Sequence, residues 1–257
     1  MSYEQQERVV YDIDSLDPYA VNAYVAKVFG WMFLGLLVTA ITTMAIIYGI
    51  NVSQAFAEFI FGLQQAIFIV VIAEVALVFY LSARITKLQP ATAKALYIIY
   101  AISNGFTFGL VAVIIAYGAG MGMQTLGVAF LVTALSFGIM AVYGLFTKAD
   151  LTKFGKLFMM GIIGLVIASI ANIFIGGSML DLAIIIFGLV LFLGLTAYHT
   201  YNIKHHYARV ALGDGEIFDS SLSRQQLGDN LAIIGALQLY LAFINMFFFI
   251  LRLLTRR

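Results

Sequence analysis

The sequence predicts an all-α membrane protein of seven transmembrane helices, and three observations carry that prediction. The chain is 63% hydrophobic and 11% charged over 257 residues, whereas a soluble domain carries about 25% charged residues. Its mean hydropathy is +1.01, too apolar a surface to cover itself in water. The apolar residues also fall into seven runs, near 25–50, 66–83, 95–117, 124–146, 157–177, 182–201 and 231–251. Each is close to the about 20 residues that cross a hydrocarbon core roughly 30 Å thick, where a helix alone satisfies its own backbone.

Residues 1–24 form a polar tail. Glu4, Glu7, Asp12, Asp14 and Asp17 stand where a secretory signal would need a basic stretch and a short apolar core. The first span is therefore retained, and residues 25–257 make one transmembrane domain. Linkers are short except for 202–230, whose Lys204, His205, His206, Arg209, Asp214, Glu216, Asp219, Arg224 and Asp229 read as a solvated hydrophilic loop. Within it the run Gly213-Asp214-Gly215-Glu216 reads as a turn.

Orientation follows from the basic residues. If the tail and the loops after the second, fourth and sixth spans share one side, that side holds Arg8, Lys27, Arg84, Lys87, Lys94, Lys148, Lys153, Lys156, Lys204, Arg209 and Arg224, 11 of the 14 Lys and Arg. The N-terminus is then cytoplasmic and the C-terminus external. Arg252, Arg256 and Arg257 argue the other way locally, and a last segment that dips in and returns would gather all 14 on one side. The unbroken apolar run 231–251 favours the full crossing.

A charged or strongly polar group inside a span is costly, and so marks a candidate functional site. Glu74, in IFIVVIAEVALVFYLSARI, is the only acidic residue deep in a span. It is either a structural carboxylate, protonated or paired with an Arg, or part of a proton or cation path. Arg84 lies ten residues on, roughly 15 Å along the axis, at the end of the second span, where an interfacial anchor is the plain alternative. Thr196, His199 and Thr200 share a face of the sixth span by their spacing; an interhelical hydrogen bond is the alternative to a path. In the last span Gln238, Asn245 and Arg252 recur every seven residues, with Ala242 on the same face between them. Such a stripe faces a bundle interior or a watery cavity, or it joins helices by hydrogen bonds. Asn172 and Ser169 in the fifth span are open to the same two readings. Gly105 and Gly109 form a GxxxG, a close-packing signal.

Several functions are excluded on chemistry. With no Cys there are no disulfides, thiol catalysis or Cys-held zinc. No metal or cofactor is expected, since His205 and His206 are adjacent and His199 has no partner four residues away. No span core offers a Lys for a Schiff base or an Asp pair for intramembrane proteolysis, so the chain is not expected to be an enzyme. A net charge of +1 without a basic aromatic face gives nucleic acid nothing to bind.

Four stretches resemble the Bax inhibitor-1 family, also called the transmembrane Bax inhibitor motif family. They are TALSFGIMAVYGLFTKADLTKFGKLFMMGIIGL at 133–165, GLTAYHTYNIKHHY at 194–207, GALQLYLAFINMFFFILRLL at 235–254, and the opening VFGWMFLGLLVTA at 28–40. The short tail is most similar to bacterial members, which places the chain in the bacterial plasma (inner) membrane. The resemblance implies a last helix at the centre, wrapped by the other six. It implies a pH-sensitive cation leak, chiefly of Ca²⁺, and a role in restraining stress-induced death or membrane-protein damage. It also implies two gating carboxylates, an Asp in TAYDT and an Asp in LYLDFIN, with an Arg ending the second span as a latch. Here those two positions are His199 and Ala242. The paired-carboxylate sensor, in which like charges raise one pKa, is absent; protonated His199 would repel Arg84 where an Asp would attract it. What carries over is Glu74, Arg84 and Arg252, with Arg252 expected to pair with Glu74. Two functions follow as expectations: a cation leak along the last span that uses Glu74, or a non-conducting regulator that binds other membrane proteins.

Overall fold

The computed structural model describes residues 16–63, 67–113, 123–212 and 222–256. Among them the chain is helical, and seven of its helices are long and apolar enough to cross a membrane. Helix α1 runs Pro18–Val52 and the short α2 Gln54–Gly62; α3 covers Ile67–Arg84, α4 Pro90–Val113 and α5 Met123–Phe146. A 3₁₀ turn at Leu151–Phe154 leads into α6, Gly155–Ile175, followed by α7, Ser178–Leu212, and α8, Arg224–Thr255.

Local chemistry sets these boundaries. Asp17 caps α1 by accepting from the Tyr19 amide at 3.0 Å, with Pro18 in the first turn, where its missing N–H is no loss. Ser53 ends α1 and starts α2: its amide donates to Gly49 O, and its hydroxyl accepts from Phe56 N. Gly176, at φ 64°, supplies the left-handed residue that stops α6. Ser223 and Gln226 form a capping box that starts α8 well before its apolar run.

The expected hydrophilic loop 202–230 is therefore mostly helix. Residues 202–212 extend α7, and 224–230 open α8. Apolar contacts explain the difference, for Ile203, Ala208 and Leu227 are buried among the polar residues of that stretch. The Gly213–Glu216 turn lies outside the described residues.

Helix α8 is the core of the bundle. In its apolar stretch 72% of residues are buried, against 6% in α3 and in the α6 span. The expected wrapping by six helices reduces to four: α1, α4, α5 and α7 pack on α8, while α3 lies chiefly on α4 and α6 on α7. The outer pair presents apolar side chains all round, such as Phe68, Phe79, Ile173 and Phe174, as suits helices whose solvent is lipid. The closest seams rest on small residues. A Cβ at Gly105 would stand 2.5 Å from Thr42 Cβ and 2.8 Å from Thr39 O, and one at Gly144 would stand 2.4 Å from Ala197 O. Threonines reinforce the α1–α4 seam, Thr39 and Thr43 donating across it to Ala101 O and Gly105 O, each at 3.0 Å. Helix α8 begins beside the start of α1, through Lys27 and Asp229, and runs unbroken to Thr255. It crosses rather than dips and returns.

Candidate functional site

Helices α7 and α8 run antiparallel, with Ile203 beside Gly235 and Gly188 against Phe249. Gly235, Ala242 and Phe249 recur every seven residues, so Ala242 faces α7 midway along the seam, where it is buried. His199 shares its face of α7 with Gly188, Phe192 and Ile203, the face turned to α8. The fold thus brings the two positions that depart from the family pattern to one seam. His199 is half-buried and its ring packs edge-on to Tyr198, centroids 5.4 Å apart. Thr196 and Thr200 are fully buried; Thr196 donates to Phe192 O at 2.8 Å, whereas the Thr200 hydroxyl has no partner among the described residues.

The half-buried face of α8 is mixed, with Leu231, Leu241 and Phe248 beside its polar residues. Gln238 and Asn245 are half-buried and Arg252 is exposed, while Leu237, Leu239, Tyr240 and Met246 are fully buried. Asn245 turns its amide back to Leu241 O at 2.7 Å. Gln238 makes no hydrogen bond among the described residues.

Glu74 stands apart from this seam, at the α3–α4 contact. Ser103 and Thr107, one turn apart on α4, both donate to its Oε1, at 2.8 and 3.0 Å. An intramembrane carboxylate needs such partners, and the polar pair in the third span was the sequence signal that could have identified them. The expected Glu74–Arg252 pair does not form. Arg252 instead bonds Asp181, because α7 starts at Ser178 and carries Asp181 in its first turn. There the helix dipole favours a carboxylate. Asn172 joins this end from α6, donating to Asp181 Oδ1 at 3.4 Å, and an Arg256 guanidinium nitrogen donates to Ser178 O. The cluster gathers Asn172 and Arg252 at one end of the bundle, away from the middle of α8.

The opposite end has its own polar knot. Asp229 on α8 bonds Lys27 of α1 and lies 3.5 Å from Lys94 of α4, whose ammonium sits 5.7 Å from the Trp31 ring centroid. Next to it, buried Asn230 donates to Ile85 O and Leu88 O at 2.8 and 2.7 Å, closing the carbonyls after α3. Arg84, the last residue of α3, is exposed and forms no ion pair among the described residues. Asp229, a loop residue by sequence, and Asn230 gain these partners because residues 224–230 form the first turns of α8. Among the described residues no group of three or more His, Asp or Glu is placed to hold a metal ion.

The chain matches the family profile described as "Inhibitor of apoptosis-promoting Bax1" over residues 21–257. It is 37% identical over 237 residues to the inner membrane protein YbhL of Escherichia coli K12, covering 92% of this chain and 93% of that protein. An uncharacterised protein of Borreliella burgdorferi is 34% identical over 236 residues, with coverage of 92% and 93%. One of Deinococcus radiodurans is 36% identical over 233 residues, with coverage of 91% and 90%.

Proposed function

This chain belongs to the Bax inhibitor-1 family, and from that premise we propose that it is a cation leak pathway of the bacterial inner membrane, conducting chiefly Ca²⁺ and only weakly controlled by pH. The observation that carries this reading is the half-buried placing of the polar Gln238 and Asn245 on one face of the central helix, at membrane depth and across the seam from His199. Polar groups at membrane depth line a wet path more often than they face lipid. Glu74, with Ser103 and Thr107, supplies the intramembrane carboxylate from the neighbouring seam, and the end bearing Lys27, Lys94 and Asp229 faces the cytoplasm.

The weak pH control follows from His199 and Ala242. Without carboxylates at these positions no proton is shared between two like charges. The same departure favours a second reading, a non-conducting regulator that contacts other membrane proteins in stress or quality control. Purified protein reconstituted alone into liposomes loaded with a Ca²⁺ indicator separates the two. Ca²⁺ entry above that of protein-free liposomes supports the leak; entry equal to theirs removes it and leaves the regulator.

A further inference from the structure

Gln238 and Asn245 lie on one face of α8. On the other side of α8, a cavity of about 350 Å³ lies between α1, α4 and α5. Helix α5 packs on α7 and α8 and leaves a gap towards α1. The mouth of the gap is formed by Met44, 70% exposed, and Phe130, 52% exposed, with exposed Gly127 between the walls. Its floor is α8, through Phe243, Phe247 and Leu251, each buried from solvent by the helices around it.

The lining excludes an aqueous role. Among the described residues only two lining side chains carry hydroxyls, Thr39 and Thr43, and both are engaged within the protein. Thr39 Oγ1 lies 3.0 Å from Gly35 O and from Ala101 O and 2.6 Å from the Tyr240 hydroxyl, and Thr43 donates to Gly105 O. A dry apolar void gives water no hydrogen-bond partners and gives a cation no ligand. Left empty, it forfeits dispersion contacts along every wall.

Its shape identifies the occupant. The α1 wall runs from Leu36 to Ile47, about 16 Å along the helix, close to the roughly 15 Å of hydrocarbon in one leaflet. The floor ends at Leu251, next to the Arg252 end of the bundle, so the slot occupies the half of the membrane away from Lys27 and Asp229. We propose that this slot holds one acyl chain of a phospholipid from that leaflet, laid against Phe243 and Phe247 of the central helix. The bilayer supplies this ligand at the mouth itself.

The test uses the full-length protein in phosphatidylethanolamine and phosphatidylglycerol vesicles containing a phospholipid with a diazirine midway along one acyl chain. After irradiation, adducts are mapped by peptide mass spectrometry. Exposed Phe68 and Ile173 label in any case and report that the bundle is intact. Adducts on Phe247 or Leu251 are expected as well. Gly127→Leu should remove them, since a Cβ there meets nothing within 4 Å and its side chain fills the mouth. Gly138→Leu, on the same helix and equally unobstructed but outside the cavity, should retain them. Phe247 and Leu251 unlabelled beside labelled Phe68 and Ile173, or adducts that survive Gly127→Leu, would overturn the assignment. The readout is the same whether or not the protein conducts.

Discussion

Arg252 near the end of α8 is paired with Asp181 in the first turn of α7, and this contact takes the basic end of the polar stripe away from Glu74. Both side chains are partly exposed, so the pair is a clasp between two helix ends rather than a buried charge. Asp181→Asn and Arg252→Gln should each lower stability modestly. Their double-mutant cycle should give a coupling of about 0.5–1 kcal/mol, the range of partly exposed ion pairs. Thermal unfolding in detergent at low and high salt measures it, and a coupling unchanged by salt would contradict the exposed geometry.

Asn230 should matter more than the charged residue beside it. Its amide closes two carbonyls, Ile85 O and Leu88 O, from a fully buried position. Asn230→Ala strands both and should cost about 2–3 kcal/mol. Asp229→Asn leaves Lys27 and Lys94 in place at a half-open site and should cost about 1 kcal/mol or less. Unfolding midpoints of the two variants, compared side by side, check the order.

The same two residues show where the sequence is legible and where it is not. Spans of about 20 apolar residues identify themselves, because hydrocarbon allows no other way to satisfy the backbone. The seven runs accordingly reappear as α1 and α3–α8. Amphipathic helix ends do not, since Lys204, His205 and Asp229 look like a loop until Ile203, Ala208 and Leu227 are seen to be buried beside them. Register within one helix is legible too, since Gln238, Asn245 and Arg252 fall on one face of the continuous α8. What that stripe meets was not readable, because partner choice depends on where neighbouring helices start. Moving the start of α7 to Ser178 is enough to give Arg252 to Asp181.

Glu74 and its two donors separate charge from packing. Glu74→Gln keeps an acceptor for Ser103 and Thr107, so it should leave the melting point nearly unchanged while lowering any Ca²⁺ entry into liposomes. Ser103→Ala with Thr107→Val does the converse. It removes two hydrogen bonds to a charged group, worth about 1.5–3 kcal/mol each, and should lower stability before flux. If Glu74→Gln and the double variant lose stability equally, the carboxylate is structural and has no part in the path.

The pH response should distinguish this chain from relatives that keep both carboxylates. In the unmodified protein the titratable groups that this reading places in the path are Glu74 and His199, an unperturbed His titrating near about 6.5. Protonation of His199 adds one positive charge beside the stripe and opposes cations, so any flux should fall shallowly as the pH drops. His199→Asp with Ala242→Asp places two carboxylates on the facing sides of α7 and α8, within about two helical turns of each other. Burial and mutual repulsion raise their pKa values from the reference of about 3.9. Acidification then removes two negative charges from the seam instead of adding one positive charge. Flux in the double variant should therefore be larger at high pH and fall more steeply on acidification than in the unmodified protein. Ca²⁺ entry into liposomes from about pH 5 to 8, a range that brackets the His reference value, tests this, with the melting point followed in parallel because Ala242 is buried. A steep response already present in the unmodified chain, and unaltered by the two substitutions, would place the sensor away from His199 and Ala242.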